Sequence, residues 1–134
     1  MPSPTIFTKI INGQIPCYKI YEDDLVFAFL DHKPNTLGHT LILPKTEVGN
    51  FYELPDNYYR AIFETAKNIS KALKLVTSAT KIGLALHGFG VPDHAHVHLI
   101  PLHNFDDMDQ GKAHFETEEK MLEMQNKILN GLQS

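Results

Sequence analysis

The chain has 134 residues, 43% of them hydrophobic, with 12 Lys and Arg against 16 Asp and Glu and a formal charge of −4 at pH 7. That length supports a single domain over residues 1–134 with one core, and the acidic balance excludes the basic footprint needed for extended contact with a nucleic-acid polymer, though a mononucleotide needs none. The longest apolar runs fall far short of a membrane span, residues 1–8 lack the basic start and apolar stretch of a secretory leader, and Cys17 is the only cysteine, so a cytoplasmic protein in a reducing compartment, without a membrane partner, is expected.

In chain order, residues 5–11 predict a short helical turn ended by Asn12-Gly13, a strong turn signal. Residues 17–22 and 25–30 are β-rich runs separated by Asp23-Asp24 and predict a hairpin, and residues 40–43, between Gly38 and Pro44, predict a third strand. From Asp56, a plausible N-cap, Tyr59, Ile62, Phe63, Ala66, Ile69 and Leu73 recur at helical spacing. Residues 81–86 and 94–101 return to strand character. Thr117 is placed to cap a last helix carrying Met121, Met124 and Ile128 that stops before Gly131. The expected fold is α+β: an antiparallel sheet of about five strands with a central amphipathic helix and a C-terminal helix.

Residues 94–98 read "HAHVH". On a strand, successive side chains alternate between faces, so His94, His96 and His98 share one face while Ala95, Val97 and Leu99 can pack on the core. A row of imidazoles without partners would be costly to bury, and no packing need favours imidazole three times. Two chemistries fit the row. Two of these histidines with His39 or His87 could hold a metal ion, although neighbours on one strand converge poorly on a single ion. Alternatively, one imidazole attacks as a nucleophile while the others orient it and manage protons near pH 7.

The stretch His94-Ala-His96-Val-His98-Leu-Ile resembles the signature of the histidine triad (HIT) superfamily. "TIFTKIINGQIP" at 5–16, "YEDD" at 21–24, "FAFLD" at 27–31 and "GHTLILPK" at 38–45 resemble, in order, the N-terminal half of its small nucleotide-binding branch. The resemblance implies a HIT-like homodimer that binds a purine mononucleotide or nucleotide conjugate and uses no cofactor. It implies phosphoramidase-like cleavage of a nucleoside 5′-monophosphate from a small leaving group through a P–N or P–O bond. By match to the motif, His96 would attack phosphorus and form a nucleotidyl-histidine, the backbone carbonyl of His94 would hold the other ring nitrogen, and His98 would contact phosphate and assist the leaving group. His39 would support His94 from a neighbouring strand. Phe7, Ile10 and Phe29 match an apolar slot for the base, positions that could equally be ordinary core, and Asp31 matches the acceptor for the ribose hydroxyls.

Two departures accompany the resemblance. His87 stands where a phosphate-contacting Asn is expected, and the loop that follows, Gly88-Phe-Gly-Val-Pro-Asp93, lacks the usual Gln or Ser. His87, backbone N–H groups around Gly88 and Gly90, or Asp93 acting indirectly are the available substitutes. Thr5 and Thr8 replace the Cys-x-x-Cys half of a structural zinc site found in some bacterial relatives, so that zinc is expected to be absent. The competing functions are dinucleoside polyphosphate hydrolysis, which needs room and positive charge for a longer phosphate chain, and nucleotide binding with little catalysis.

Overall fold

The computed structural model describes residues 4–133; residues 1–3, the start of the stretch read above for a secretory leader, and residue 134 lie outside the described residues. Helix α1 (Ile6–Ile11) opens at Thr5, whose Oγ1 accepts the Thr8 N–H at 3.1 Å, and closes at Asn12 with Gly13 at φ +80°. Strands β1 (Lys19–Glu22) and β2 (Val26–Leu30) form a hairpin because Asp23 Oδ1 accepts the N–H groups of Leu25 and Val26, each at 2.8 Å. Next come β3 (Thr40–Pro44), α2 (Asp56–Thr77), β4 (Lys81–Ala85), β5 (Val97–Leu102) and α3 (Glu118–Leu132). Short 3-10 turns at Phe51–Glu53, Phe105–Met108 and Gln110–Lys112 lie between them.

The strands form one antiparallel sheet in the order β1-β2-β3-β5-β4, giving the expected α+β architecture. Alternation along the strands explains why β2 and β3 are apolar at nearly every position. Val26, Ala28, Leu30, Ile42, Val97 and Leu99 face α2 and α3, where they pack with Ile62, Ile69, Leu73, Met121, Met124 and Ile128. Phe27, Phe29, Leu41 and Leu43 face the other way, beneath Phe7 and Ile10 of α1. The sheet is therefore covered twice, and the short helix α1 roofs the face on which His98 lies.

Four local expectations are corrected. The ladder of β5 begins at Val97 rather than His94, because Ala95 N–H donates to the Val48 carbonyl at 2.7 Å and His94 N–H to the Val91 carbonyl at 3.2 Å, loops rather than a strand. Strand β4 ends at Ala85, one residue early. Pro55, not Asp56, is the N-cap of α2, leaving Asp56 as its first helical residue, where a carboxylate still favours the positive end of the helix dipole. Helix α3 runs through Gly131 to Leu132, since Gly131 serves close helix packing: a Cβ there would meet Ala72 and Val76 of α2 at 3.4 Å each.

Leu73 is fully buried between the sheet and α3. Leu73→Ala should cost about 2–5 kcal/mol through lost transfer energy and an uncollapsed cavity, read as a lower urea midpoint at unchanged slope.

Candidate active site

His94 is fully buried beneath α1, and its hydrogen bonds define its tautomer. The Pro44 carbonyl, 2.7 Å from Nε2, can only accept, so Nε2 carries the proton. Nδ1 is then the acceptor for the Thr5 hydroxyl at 2.8 Å. Thr5 N–H and the Thr8 hydroxyl donate to Glu47 Oε1 at 2.9 and 2.6 Å, tying the start of α1 to the loop after β3. The His94 carbonyl in turn lies 3.0 Å from His96 Nδ1, which must donate to it. His96 Nε2 is thereby left as the ring's lone-pair nitrogen.

A second chain runs through His98. Asn35 N–H donates to His39 Nδ1 at 3.1 Å, so neutral His39 carries its proton on Nε2 and donates it to His98 Nδ1 at 3.0 Å. His98 then holds its own proton on Nε2. That atom is buried and has no hydrogen-bond partner among the described residues. His39 thus serves His98 and not His94, correcting the sequence expectation. The antiparallel register pairs Leu41 with His98 and Thr40 with Leu99, which carries His39 away from His94 along β5.

The loop after β4 turns through Gly88 at φ +77° and Gly90 at φ +91°, a backbone region that favours glycine. This turn lays the His87 ring against His98, with centroids 5.1 Å apart and planes at 23°, and 6.2 Å from His96. Phe89 N–H donates to His87 Nδ1 at 3.0 Å, so one of the backbone groups considered for phosphate contact is already engaged.

On one side of the histidines a cleft of about 580 Å³ is lined by Phe7, Ile10, Phe29, Asp31, His87, His96 and His98, bringing together every base-slot and ribose candidate. Phe7, Ile10 and Phe29 belong at once to the core beneath α1 and to the cleft wall. Asp31 accepts Lys33 N–H through Oδ1 at 3.0 Å, while Oδ2 lies 3.7 Å from His39 Nε2. A second cavity, of about 410 Å³, shares Asp31, His87, Phe89, His98 and Gln110 with the first and adds Lys33, His39, Ala85, Ile100 and Met108.

A family model, the HIT domain, matches residues 12–105, and a HIT-like protein of Borreliella burgdorferi without an assigned function is 42% identical over 102 residues, covering 72% of this chain and 73% of the relative. The chain belongs to the HIT family. An adenosine 5′-monophosphoramidase of Saccharomyces cerevisiae is 38% identical over 96 residues, spanning 72% of this chain and 61% of the yeast protein. A histidine triad nucleotide-binding protein of Sulfolobus tokodaii superposes with a TM-score of 0.84 at 28% identity, over 95% of this chain and 91% of that one.

The donor set in this HIT protein bears on the metal reading. Asp31, His39 and His98 each offer a ligand atom within 4.8 Å of the others. Asn35 N–H, however, occupies the Nδ1 lone pair of His39 and leaves the proton on Nε2, the nitrogen an ion would need. The arrangement suits a proton chain better than a metal centre. Sequence reasoning did not single out Asn35, Glu47 or Gln110, and it left Thr5 without a role at the site; none of the four lies in the histidine motif, and only folding brings them to it.

Burial is the first cause holding His39, His94, His96 and His98 below the ordinary histidine pKa. For His98, the neighbouring His39, His96 and His87 add to burial and bring it to about 3. A histidine that folds neutral contributes stability above its unfolded pKa and loses it as pH falls towards its folded value. The melting temperature of the HIT protein should therefore fall progressively from about pH 6.5 downward. The double variant His39→Gln/His98→Asn should lose less over the same interval, measured by calorimetry from pH 7 to pH 4.

Proposed function

We propose that this HIT protein hydrolyses nucleoside 5′-phosphoryl compounds, releasing a small leaving group from phosphorus through a covalent nucleotidyl intermediate on His96. The observation that carries this reading is the His94 carbonyl 3.0 Å from His96 Nδ1, which leaves Nε2 as an unprotonated nucleophile. Adjacent support comes from His98, whose ring centroid is 5.0 Å from that of His96 and whose protonated Nε2 has no partner among the described residues.

In the first step His96 Nε2 gives its electron pair to phosphorus, the bond to the leaving group breaks, and its pair stays on the departing nitrogen or oxygen. His98 is neutral in the free protein, with a pKa of about 3. An anionic phosphoryl group in the cleft favours its charged form: a proton enters at Nδ1, the Nε2–H of His39 turns from His98 to Asp31 Oδ2, 3.7 Å away, and His98 can pass its own Nε2 proton to a departing amine. In the second step His98 accepts a proton from water as its oxygen attacks phosphorus, and the bond to His96 breaks. The base fits the apolar wall of Phe7, Ile10 and Phe29, which leaves Asp31 to receive the ribose hydroxyls. A purine nucleotide conjugate, rather than a nucleic-acid polymer, is the ligand of this reading, and the reducing setting suited to a lone Cys17 is consistent with the cytoplasm.

The same reading includes a homodimer. Strand β4 bounds the sheet and leaves Leu84 44% exposed, an edge suited to pairing with a second copy. Light scattering should return twice the chain mass, and Leu84→Lys should shift the protein towards the single-chain mass; a wild type that scatters as one chain would overturn the dimer.

Rapid quenching of the wild type with adenosine 5′-phosphoramidate, followed by intact-protein mass spectrometry, should reveal one added adenylyl group. His96→Ala should show none and lose at least about 10³-fold in kcat. Tight nucleotide binding with neither adduct nor product would identify a binding protein instead.

A further inference from the structure

A side-chain amide from the segment after β5 reaches the His87 ring. Gln110 lines both cavities, and its side-chain amide lies 3.2 Å from His87 Nε2. The orientation of that amide follows from its neighbour. Phe89 N–H donates to His87 Nδ1, so neutral His87 carries its proton on Nε2, and a protonated ring would carry one there too. Two N–H groups cannot face one another, so the amide atom beside His87 is the carbonyl oxygen, which takes the His87 proton and leaves the NH₂ to meet a ligand in the cavities that Gln110 lines. From these contacts we infer that Gln110 positions His87 and offers its NH₂ to the leaving group, favouring leaving groups that present oxygen acceptors. The inference rests on the hydrolytic reading of the site above.

Gln110 does not sit on a loose tail. The side chain of Asn35, only 6% exposed, donates to the carbonyls of Asp107 and Asp109 at 3.0 and 3.2 Å, and His114 N–H donates to the Pro34 carbonyl at 3.0 Å. The Asp107 carboxylate receives the N–H groups of His103 and Asn104 at 2.8 and 2.9 Å, and Asp109 receives that of Gly111 at 2.9 Å. Asn35 also donates its backbone N–H to His39, so one buried residue fixes both the His39–His98 chain and the segment bearing Gln110.

Around the second cavity, the charges of Lys33 and Asp31 are of opposite sign, leaving the N–H donors of His98 and Gln110 to discriminate between leaving groups. Sulfate presents only oxygen acceptors and departs without a proton: the phosphorus–oxygen bond breaks, its electron pair stays on sulfate as His96 bonds to phosphorus, and His98 returns its added proton to solvent before water attacks. Ammonia, leaving from a phosphoramidate, offers the NH₂ no oxygen and requires the proton of His98. The two substrates therefore separate donation by Gln110 from proton transfer by His98.

The test is steady-state kinetics on adenylyl sulfate and adenosine 5′-phosphoramidate for the wild type, Gln110→Ala and Gln110→Glu, with thermal midpoints checking the fold. The ratio of kcat/KM for sulfate over amide should fall at least tenfold in both variants, equivalent to about 1.4 kcal/mol. Gln110→Glu, which keeps an acceptor for His87 and loses the donor, should surpass Gln110→Ala on the phosphoramidate. A ratio unchanged in both variants overturns the inference and leaves the covalent route standing. No turnover of either substrate by the wild type overturns the route, and the inference with it.

Discussion

A backbone carbonyl can accept a hydrogen bond but never donate one, and two carbonyls govern the protons of the histidine row. Pro44 O requires a proton on His94 Nε2, and His94 O requires one on His96 Nδ1. Each imidazole is thereby restricted to one tautomer without any charged partner. The lone pair of His96 is consequently a property of the main chain, fixed by where β3 ends and where the residues before β5 lie against it. The double burial of β2 and β3 bears on this: a sheet clamped on both faces holds the two carbonyls, and with them the lone pair of His96, in place.

Neutrality is the other condition. Four histidines crowd one side of the sheet, with ring centroids of His39 and His98 5.2 Å apart and those of His96 and His98 5.0 Å apart. Several charges at that spacing would repel strongly in a desolvated site, and burial holds all four towards the neutral form. The apolar ceiling of α1 thus serves electrostatics as much as packing: Phe7, 4.9 Å from His96 between ring centroids, displaces water that would otherwise stabilise an imidazolium. Thr5, Thr8 and Glu47 anchor that ceiling by hydrogen bonds.

The fold was legible in the sequence wherever a periodic pattern was long or a turn residue had a single use. The β-rich run of β2, the helical spacing of α2 and the capping hydroxyl of Thr117 all correspond to observed elements. Legibility failed where a residue's purpose lay in its tertiary neighbours. Gly131 carries a stop signal but answers to Ala72 and Val76, and His94 continues an apparent strand but hydrogen-bonds to a loop. The site divides in the same way. His94, His96 and His98 declare themselves by spacing, while the assignment of His39 required the register of β3 against β5. Gln110 and Asn35 lie far from the motif, and a polar residue in an irregular segment carries no local sign of the ring or carbonyl it will meet.

The paired cavities on either side of His98 have a kinetic consequence. They share a wall but not their full lining, so on the proposed route the first product can depart through the smaller chamber while the nucleoside stays held by the larger. The molecule that next attacks phosphorus must enter the chamber just vacated, and nothing in its polar groups reserves it for water. An amine or alcohol shaped like the departed group could occupy it and receive the nucleotidyl group in its place. The balance between hydrolysis and transfer would then be set by which molecule occupies that chamber during the lifetime of the intermediate.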